Sequence, residues 1–325
     1  LNHAPPAAAP APPVVATDEP LALRFMFGGR TWGVAHVAGR VLRTHATRLS
    51  PDAASTPPSF ADLPDSVAAV QIPCCPVSAP LPALARVGGV LRYAPMQGVL
   101  RYTRLGASLD ATMATLPAKG RHEVKRKSKR FAEAEPGARL VVARTPDEVR
   151  AFHAAARALS ARTYQERVLK AGMPDGDAFV AELLRDAAAD RVRGYLLERD
   201  GRTFAYGYCR AYEDDVLCYE HTGYEPDAAA AQPGAALLFA MYGALAEEGR
   251  FRLLDFGFGD AQYKREASTD VLDVARVWWL RPGLGRTALV RAHRATTVAA
   301  DAAAAGVAKL GLKDRLRRLI RRAPR

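Results

Sequence analysis

The chain has 325 residues, enough for one large or two medium domains, and its 49% hydrophobic and 25% charged residues describe a sequence that buries a real core. Its 46 Lys plus Arg against 34 Asp plus Glu give a formal charge of +12, which points to an anionic partner: nucleotide, polyphosphate, nucleic acid or an anionic membrane face. No run of 18 apolar residues occurs, which excludes a membrane-spanning helix, and Cys74, Cys75, Cys209 and Cys218 lack the spacing of a zinc site or redox pair.

Residues 1–20, rich in Pro and Ala and without a signal-peptide pattern, read as a disordered lead. Short apolar runs with turn residues follow to about 118 and predict small strands with short helices. Residues 119–130, KGRHEVKRKSKR, hold seven basic side chains and one acid. They predict a helix wrapped in charge, with Val124 and Phe131 as its only apolar anchors.

The second half is better organised. GARLVVARTP reads as a strand, and PDEVRAFHAAARALS (146–160) as a one-sided helix begun by Pro146 and an acidic pair. Residues 162–172 continue it or form a second helix, and FVAELLRDAAADRVRG supplies another. The next run reads strand, Asp200-Gly201 turn, strand, turn, strand. AALLFAMYGALAEEG is a buried-type helix stopped at Gly249, and RFRLLDFG and VLDVARVWWL are late strands. Residues 286–322 are helical by composition, with breaks at Gly306 and Gly311.

Gln232-Pro233-Gly234 stands between a strand and the apolar helix. Free amides and the helix dipole there make either a phosphate cradle or a plain structural cap. One helix and one strand later comes LDFGFGDAQYKREAST, a glycine-bearing turn carrying Asp255, Asp260, Tyr263 and Lys264. Asp260 and Lys264, four apart, share a face and pair if the turn is helical.

SARTYQERVL, YEPDAAAAQPGAALLF and LLDFGFGDAQYKREAST together resemble the GNAT acyl-CoA acyltransferase superfamily. They are most similar to its two-module branch of cellulose-biosynthesis acetyltransferases, related in fold to the peptidoglycan aminoacyltransferases. The resemblance covers residues 120–275 well and 20–118 weakly. It implies an α/β fold of tandem N-acyltransferase-like modules, with mixed, mostly antiparallel sheets flanked by helices. The implied division is a lead at 1–20, a degenerate module at 21–118, a basic linker helix at 119–137, a second module at 138–282 and a basic helical tail at 283–325. It implies acyl transfer from acetyl-CoA or another acyl-CoA to an amine of a sugar, amino acid or cell-envelope precursor, with no metal.

The CoA pyrophosphate would then rest on Gln232, Gly234, Ala235 and Ala236. The superfamily fingerprint has one more residue between Gln and Gly, so the residues that touch phosphate are displaced relative to it. Catalytic candidates are Asp260, Lys264, Tyr263, Glu220 and His221. Acceptor-side candidates are Arg162, Tyr164, Gln165 and Asp255. Glu220 and His221, adjacent on one strand, are expected on opposite faces.

The basic helix reads equally as a solvated linker or a clamp for an anionic acceptor. Residues 309–325 carry eight basic side chains and one acid, with Leu312, Leu316, Leu319 and Ile320 at helical spacing. That pattern suits peripheral contact with anionic lipid or docking on the protein itself. Nucleic acid fits less well, because aromatics are absent from both runs. The alternatives are an aminoacyl-tRNA donor and a noncatalytic scaffold; the expected compartment is the cytoplasm, with peripheral contact at the inner face of the membrane.

Overall fold

The computed structural model describes residues 15–28, 30–163 and 172–309, and the chain divides into two units. The larger is built from Arg43–Leu49 and Gly98–Val274. Its strands are the end of β5 (Val90–Arg104), β6 (Arg139–Ala143), β7 (Val192–Arg199), β8 (Arg202–Glu213), β9 (Val216–Tyr224) and β10 (Leu253–Phe258). They lie in the order β5-β10-β9-β8-β7-β6. Every neighbouring pair is antiparallel except β9 and β10, which run parallel.

The helices of this unit are α1 (Leu109–Thr115), α2 (Ala118–Ala134), α3 (Pro146–Ser160), α4 (Asp177–Ala188), α5 (Pro233–Glu248) and α6 (Gln262–Ala267). One face of the sheet packs Phe204, Leu217 and Leu254 against Leu237, Met241 and Leu245 of α5, with Val124 and Phe131 of α2 in the same cluster. The opposite face packs Leu196, Tyr206 and Tyr208 against Val149 and Phe152 of α3 and Leu183 of α4. This is the expected mixed, mostly antiparallel sheet between helical layers.

Local chemistry accounts for these elements. At α3, Thr145 accepts from the Glu148 amide while the Glu148 carboxylate accepts from the Thr145 amide, a reciprocal cap completed by Pro146. Asp200 and Gly201 both take positive φ, 50° and 77°, so the two-residue turn matches the twist of β7 and β8. Arg193 of β7, buried, donates to Glu248 at 2.6 Å and ties down the C-terminal end of α5.

The second unit is built from Ala16–Leu42, Ser50–Gln97 and the chain from Ala275 onward. It holds β1 (Val15–Phe27), β2 (Arg30–Arg43), β3 (Ala69–Pro76), β4 (Leu84–Val87), the start of β5, the end of β11 (Asp270–Leu280) and α7 (Leu284–Lys309). Its core joins Leu21, Leu23 and Val41 to Tyr93, Trp278, Leu280 and Val290. The contacts therefore divide the chain differently from the boundaries expected at 21–118 and 138–282. The late strand and α7 join the N-terminal strands because Trp278, Leu280 and Val290 are buried among them.

Two further expectations give way. β1 begins at Val15, inside the supposed lead, because Leu21 and Leu23 alternate into a core. Gly306 lies within α7 and does not break it. A single glycine costs a helix only about 1 kcal/mol, which the surrounding alanines offset. The basic tail lies outside the described residues from 310 onward.

Candidate active site

β9, α5 and β10 form a crossover between parallel strands, and in such units ligands gather beyond the carboxyl ends of the strands. Two local features shape that end. The ladder between β9 and β10 covers only Val216–Cys218 and Leu253–Asp255, and β9 runs on to Tyr224. Gln232, the N-cap of α5, sits in the left-handed region at φ 67°, with its amide and its side-chain Nε2 both donating to the Ala229 carbonyl at 3.1 Å. A non-glycine residue held there costs about 1–2 kcal/mol, strain that the rest of the fold must sustain.

The result is an uneven set of donors. Ala235 and Ala236 N–H turn back to the Gln232 carbonyl at 3.2 and 3.3 Å, and Pro233 has no N–H. The Gly234 amide finds no acceptor among the described residues, and it stands at the positive end of a 16-residue helix. Gln232, Pro233, Gly234 and Ala235 all line a cleft of about 560 Å³. Ala236, expected beside them, is buried and does not line the cleft.

The opposite wall is α2. Glu123, Arg126, Lys127 and Arg130 line the cleft, a spacing of three, four and seven that selects one stripe of the helix. The charge that seemed to wrap α2 is therefore sorted: this stripe faces the cleft while Lys125 and Lys129 face away, exposed. Arg126 donates to Glu123 at 2.7 Å and Lys127 to Glu266 at 2.5 Å. Arg130 has no ion-pair partner among the described residues. The helix expected as a linker is thus a wall of the cleft, held by burying Val124 and Phe131.

Asp255, Asp260, Tyr263 and Lys264 take separate places. Asp255 is buried, and its Oδ1 accepts the Gly257 amide at 2.7 Å. Lys264, also buried, donates Nζ to the carbonyls of Gly257 and Phe258 at 3.3 and 2.9 Å. Together they grip both sides of Gly257, whose φ of 68° suits glycine and lies in the irregularity between Asp255 and Phe258. That irregularity begins where the β9–β10 ladder stops, so the pair holds the strands in their parted form. The expected Asp260–Lys264 pair is not what holds Asp260: its carboxylate takes Arg101 at 2.7 Å and Arg265 at 2.9 Å, because it precedes α6 instead of lying in its first turn. Tyr263 alone of the four lines the cleft, and burial raises its phenol to about 12.

Residues 118–265 match the family model described as an acetyltransferase (GNAT) domain. This segment, a little under half of the chain, resembles a GNAT acetyltransferase domain. No curated protein matches the chain in sequence. Among solved structures it is similar to the C-terminal domain of a putative lysylphosphatidylglycerol synthetase from Agrobacterium fabrum, at 11% identity over 69% of this chain and 71% of that one, TM-score 0.44. It is similar also to FemX, at 10% identity over 81% and 88%, TM-score 0.45. A third is a tandem GNAT protein from the clavulanic acid biosynthesis pathway, at 15% identity over 67% and 66%, TM-score 0.37.

Within the matched segment, Glu220 and His221 occupy the sheet face opposite α5. A bulge causes this: Tyr208 pairs with His221 and Cys209 with Tyr219, leaving Glu220 without a partner in register. The alternation that would have placed them on opposite faces is interrupted. His221 stacks on Tyr208 and meets Phe179 of α4 edge-on, while Glu220 accepts from the Tyr212 hydroxyl at 2.6 Å. Desolvation, reinforced by Arg210, lowers the His221 pKa below 6.5, and desolvation raises that of Glu220 against the pull of Arg210 and Tyr212. Arg162 donates to Glu225 at 2.6 Å, beside the start of the turn leading to Gln232, and does not line the cleft. Tyr164 and Gln165 lie outside the described residues.

Sequence reasoning missed Arg126 and Arg130 as cleft residues. Their spacing with Glu123 was the available signal, hidden by the basic residues on the other faces of α2.

Proposed function

We propose that the matched segment takes its acyl group from an acyl-CoA, acetyl-CoA being the simplest, and passes it to an amine of a sugar, amino acid or cell-envelope precursor. The observation that carries the reading is the Gly234 amide at the start of α5, without an acceptor among the described residues, inside a cleft whose far wall presents Arg126 and Arg130. An oriented backbone donor and two guanidinium groups suit a pyrophosphate. The exposed backbone of β9 beyond Cys218 offers strand-like hydrogen bonds to the amides of a pantetheine arm.

The chemistry then divides between the two sheet faces. The amine attacks the thioester carbonyl, the C–S bond breaks, and the sulfur leaves as thiolate. His221, neutral at pH 7 by its lowered pKa, and Glu220 stand on the α3–α4 face to accept the proton that the amine releases. Tyr263, whose phenol is raised above its ordinary value and which lines the cleft, supplies a proton to the departing thiolate. Asp255 and Lys264 serve as positioning residues that keep β9 and β10 parted.

Titration calorimetry with acetyl-CoA, followed by a thiol-release assay across a panel of amines, tests the proposal. Saturable binding with amine-dependent release of CoA is the expected result, and absence of CoA binding overturns it. The outward basic side chains of α2, Lys125 and Lys129, exceed what one CoA needs and favour an aminoacyl-tRNA donor as the second reading. That reading requires aminoacyl-tRNA to bind where CoA does not.

A further inference from the structure

The tip of the β1–β2 hairpin is the most apolar exposed part of the described chain. Of ten large hydrophobic side chains exposed there, four lie between residues 26 and 34: Met26 at 47%, Phe27 at 42%, Trp32 at 76% and Val34 at 45%. Scattered single exposures are ordinary, but a cluster of this kind marks a contact surface. Met26 and Phe27 are consecutive in a strand and so point to opposite faces, yet both are exposed. The tip therefore stands clear of its unit on both faces.

The charge around it has one sign. Between Glu19 and Asp52 the sequence has no carboxylate, while Arg24 and Arg30 flank the tip, both exposed and neither ion-paired among the described residues. Trp32 donates its indole N–H to the Phe27 carbonyl at 3.3 Å, so its polar edge is satisfied and its apolar body faces outward.

We propose that this tip inserts into the interfacial layer of an anionic lipid bilayer. A groove on a protein partner covers one face of a ribbon, whereas a tip apolar on both faces suits a medium that surrounds it. Indole and phenyl rings settle at the headgroup boundary, and the arginines meet anionic headgroups there. The inference is independent of the acyl-transfer reading, since none of these residues lies in the matched segment.

Tryptophan fluorescence of the whole chain isolates the event. Trp278 and Trp279 are buried at 2% and 0%, so only Trp32 reports a change of medium. Vesicles of phosphatidylcholine with phosphatidylglycerol should shift the emission to the blue, brominated lipid should quench it, and Trp32→Phe should abolish both effects. In flotation assays, Phe27→Ser and Trp32→Ser should each lower vesicle partitioning about tenfold. Arg24→Glu with Arg30→Glu should remove the preference for phosphatidylglycerol over pure phosphatidylcholine. All these positions are exposed, so the fold should survive the changes. Equal partitioning of wild type and the Phe27 and Trp32 variants overturns the proposal. So does an unshifted spectrum, or a dimer formed without lipid that Trp32→Ser dissociates.

Discussion

Gly120→Ala tests the seating of α2 against α6, on which the cleft depends. A Cβ built at Gly120 would lie 2.3 Å from the Glu266 carbonyl oxygen, 3.1 Å from its carbon and 3.4 Å from its Cα. These are backbone atoms, so no side-chain rotation relieves the overlap, and one helix must move by about 1 Å to restore normal contact. Replacing glycine with alanine in a helix ordinarily stabilises it by up to about 1 kcal/mol. Overpacking of this kind costs about 1–3 kcal/mol, so with the full helix gain set against it the net expectation is a loss of up to about 2 kcal/mol. In a domain of this size each kcal/mol lowers Tm by about 2–4 °C, so the fall should reach at most about 8 °C. The displacement also disturbs the Lys127–Glu266 bridge across the same junction, so acetyl-CoA should bind several-fold more weakly. Differential scanning calorimetry and titration calorimetry on one preparation give both numbers. A variant that melts higher than wild type would refute the close approach of α2 and α6.

Three other outcomes follow from the site. Arg130→Glu should weaken acetyl-CoA binding by about five- to tenfold, with the difference shrinking as salt rises, and Arg126→Glu should do the same; an unchanged Kd with either would detach α2 from the donor. His221→Ala should lower kcat by about a hundredfold or more with little change in the Kd for acetyl-CoA. In wild type, kcat should fall on the acid side only below the ordinary histidine value of 6.5, because burial lowers the His221 pKa; a limb above that value would name another base. For Asp255, burial raises the pKa above 3.8 in spite of His45, the Gly257 amide and Lys264. The folded state then holds this proton more tightly than the unfolded chain, so its contribution to stability is lost as pH rises through the folded pKa. Asp255→Asn, which keeps an acceptor for Gly257, should therefore gain in Tm relative to wild type as pH rises from about 4 to about 7; a gap that narrows would reverse the assigned sign.

Much of the larger unit was legible because its signals are local. Pro146 with its acidic pair, Asp200-Gly201 and Gly249 each act within a few residues, and α3, the β7–β8 turn and the end of α5 fall where they indicate. The site was less legible because its decisive events lie between elements. The bulge that turns Glu220 and His221 to one face comes from register with β8, which no single strand's sequence reveals. Asp260 is neutralised by Arg101, a residue of β5 far away in the chain. Lys264 resembled a catalytic cation because its spacing suggested Asp260, whereas its ammonium satisfies the carbonyls freed by the turn at Gly257.

The order of folding follows from how the smaller unit is composed. Its core brings Leu21 and Leu23 against Trp278, Leu280 and Val290, contacts that close a loop of some two hundred and fifty residues. The larger unit, drawn mostly from Gly98–Val274, needs such a closure only for Arg43–Leu49, which meets Glu213 and Asp215. On the ribosome the N-terminal strands are therefore made first and completed last, waiting with their apolar faces unpaired until the late strand and α7 emerge. That interval is where a chaperone would bind, and a chain halted before Ala275 should carry a formed larger unit behind N-terminal strands that lack their core.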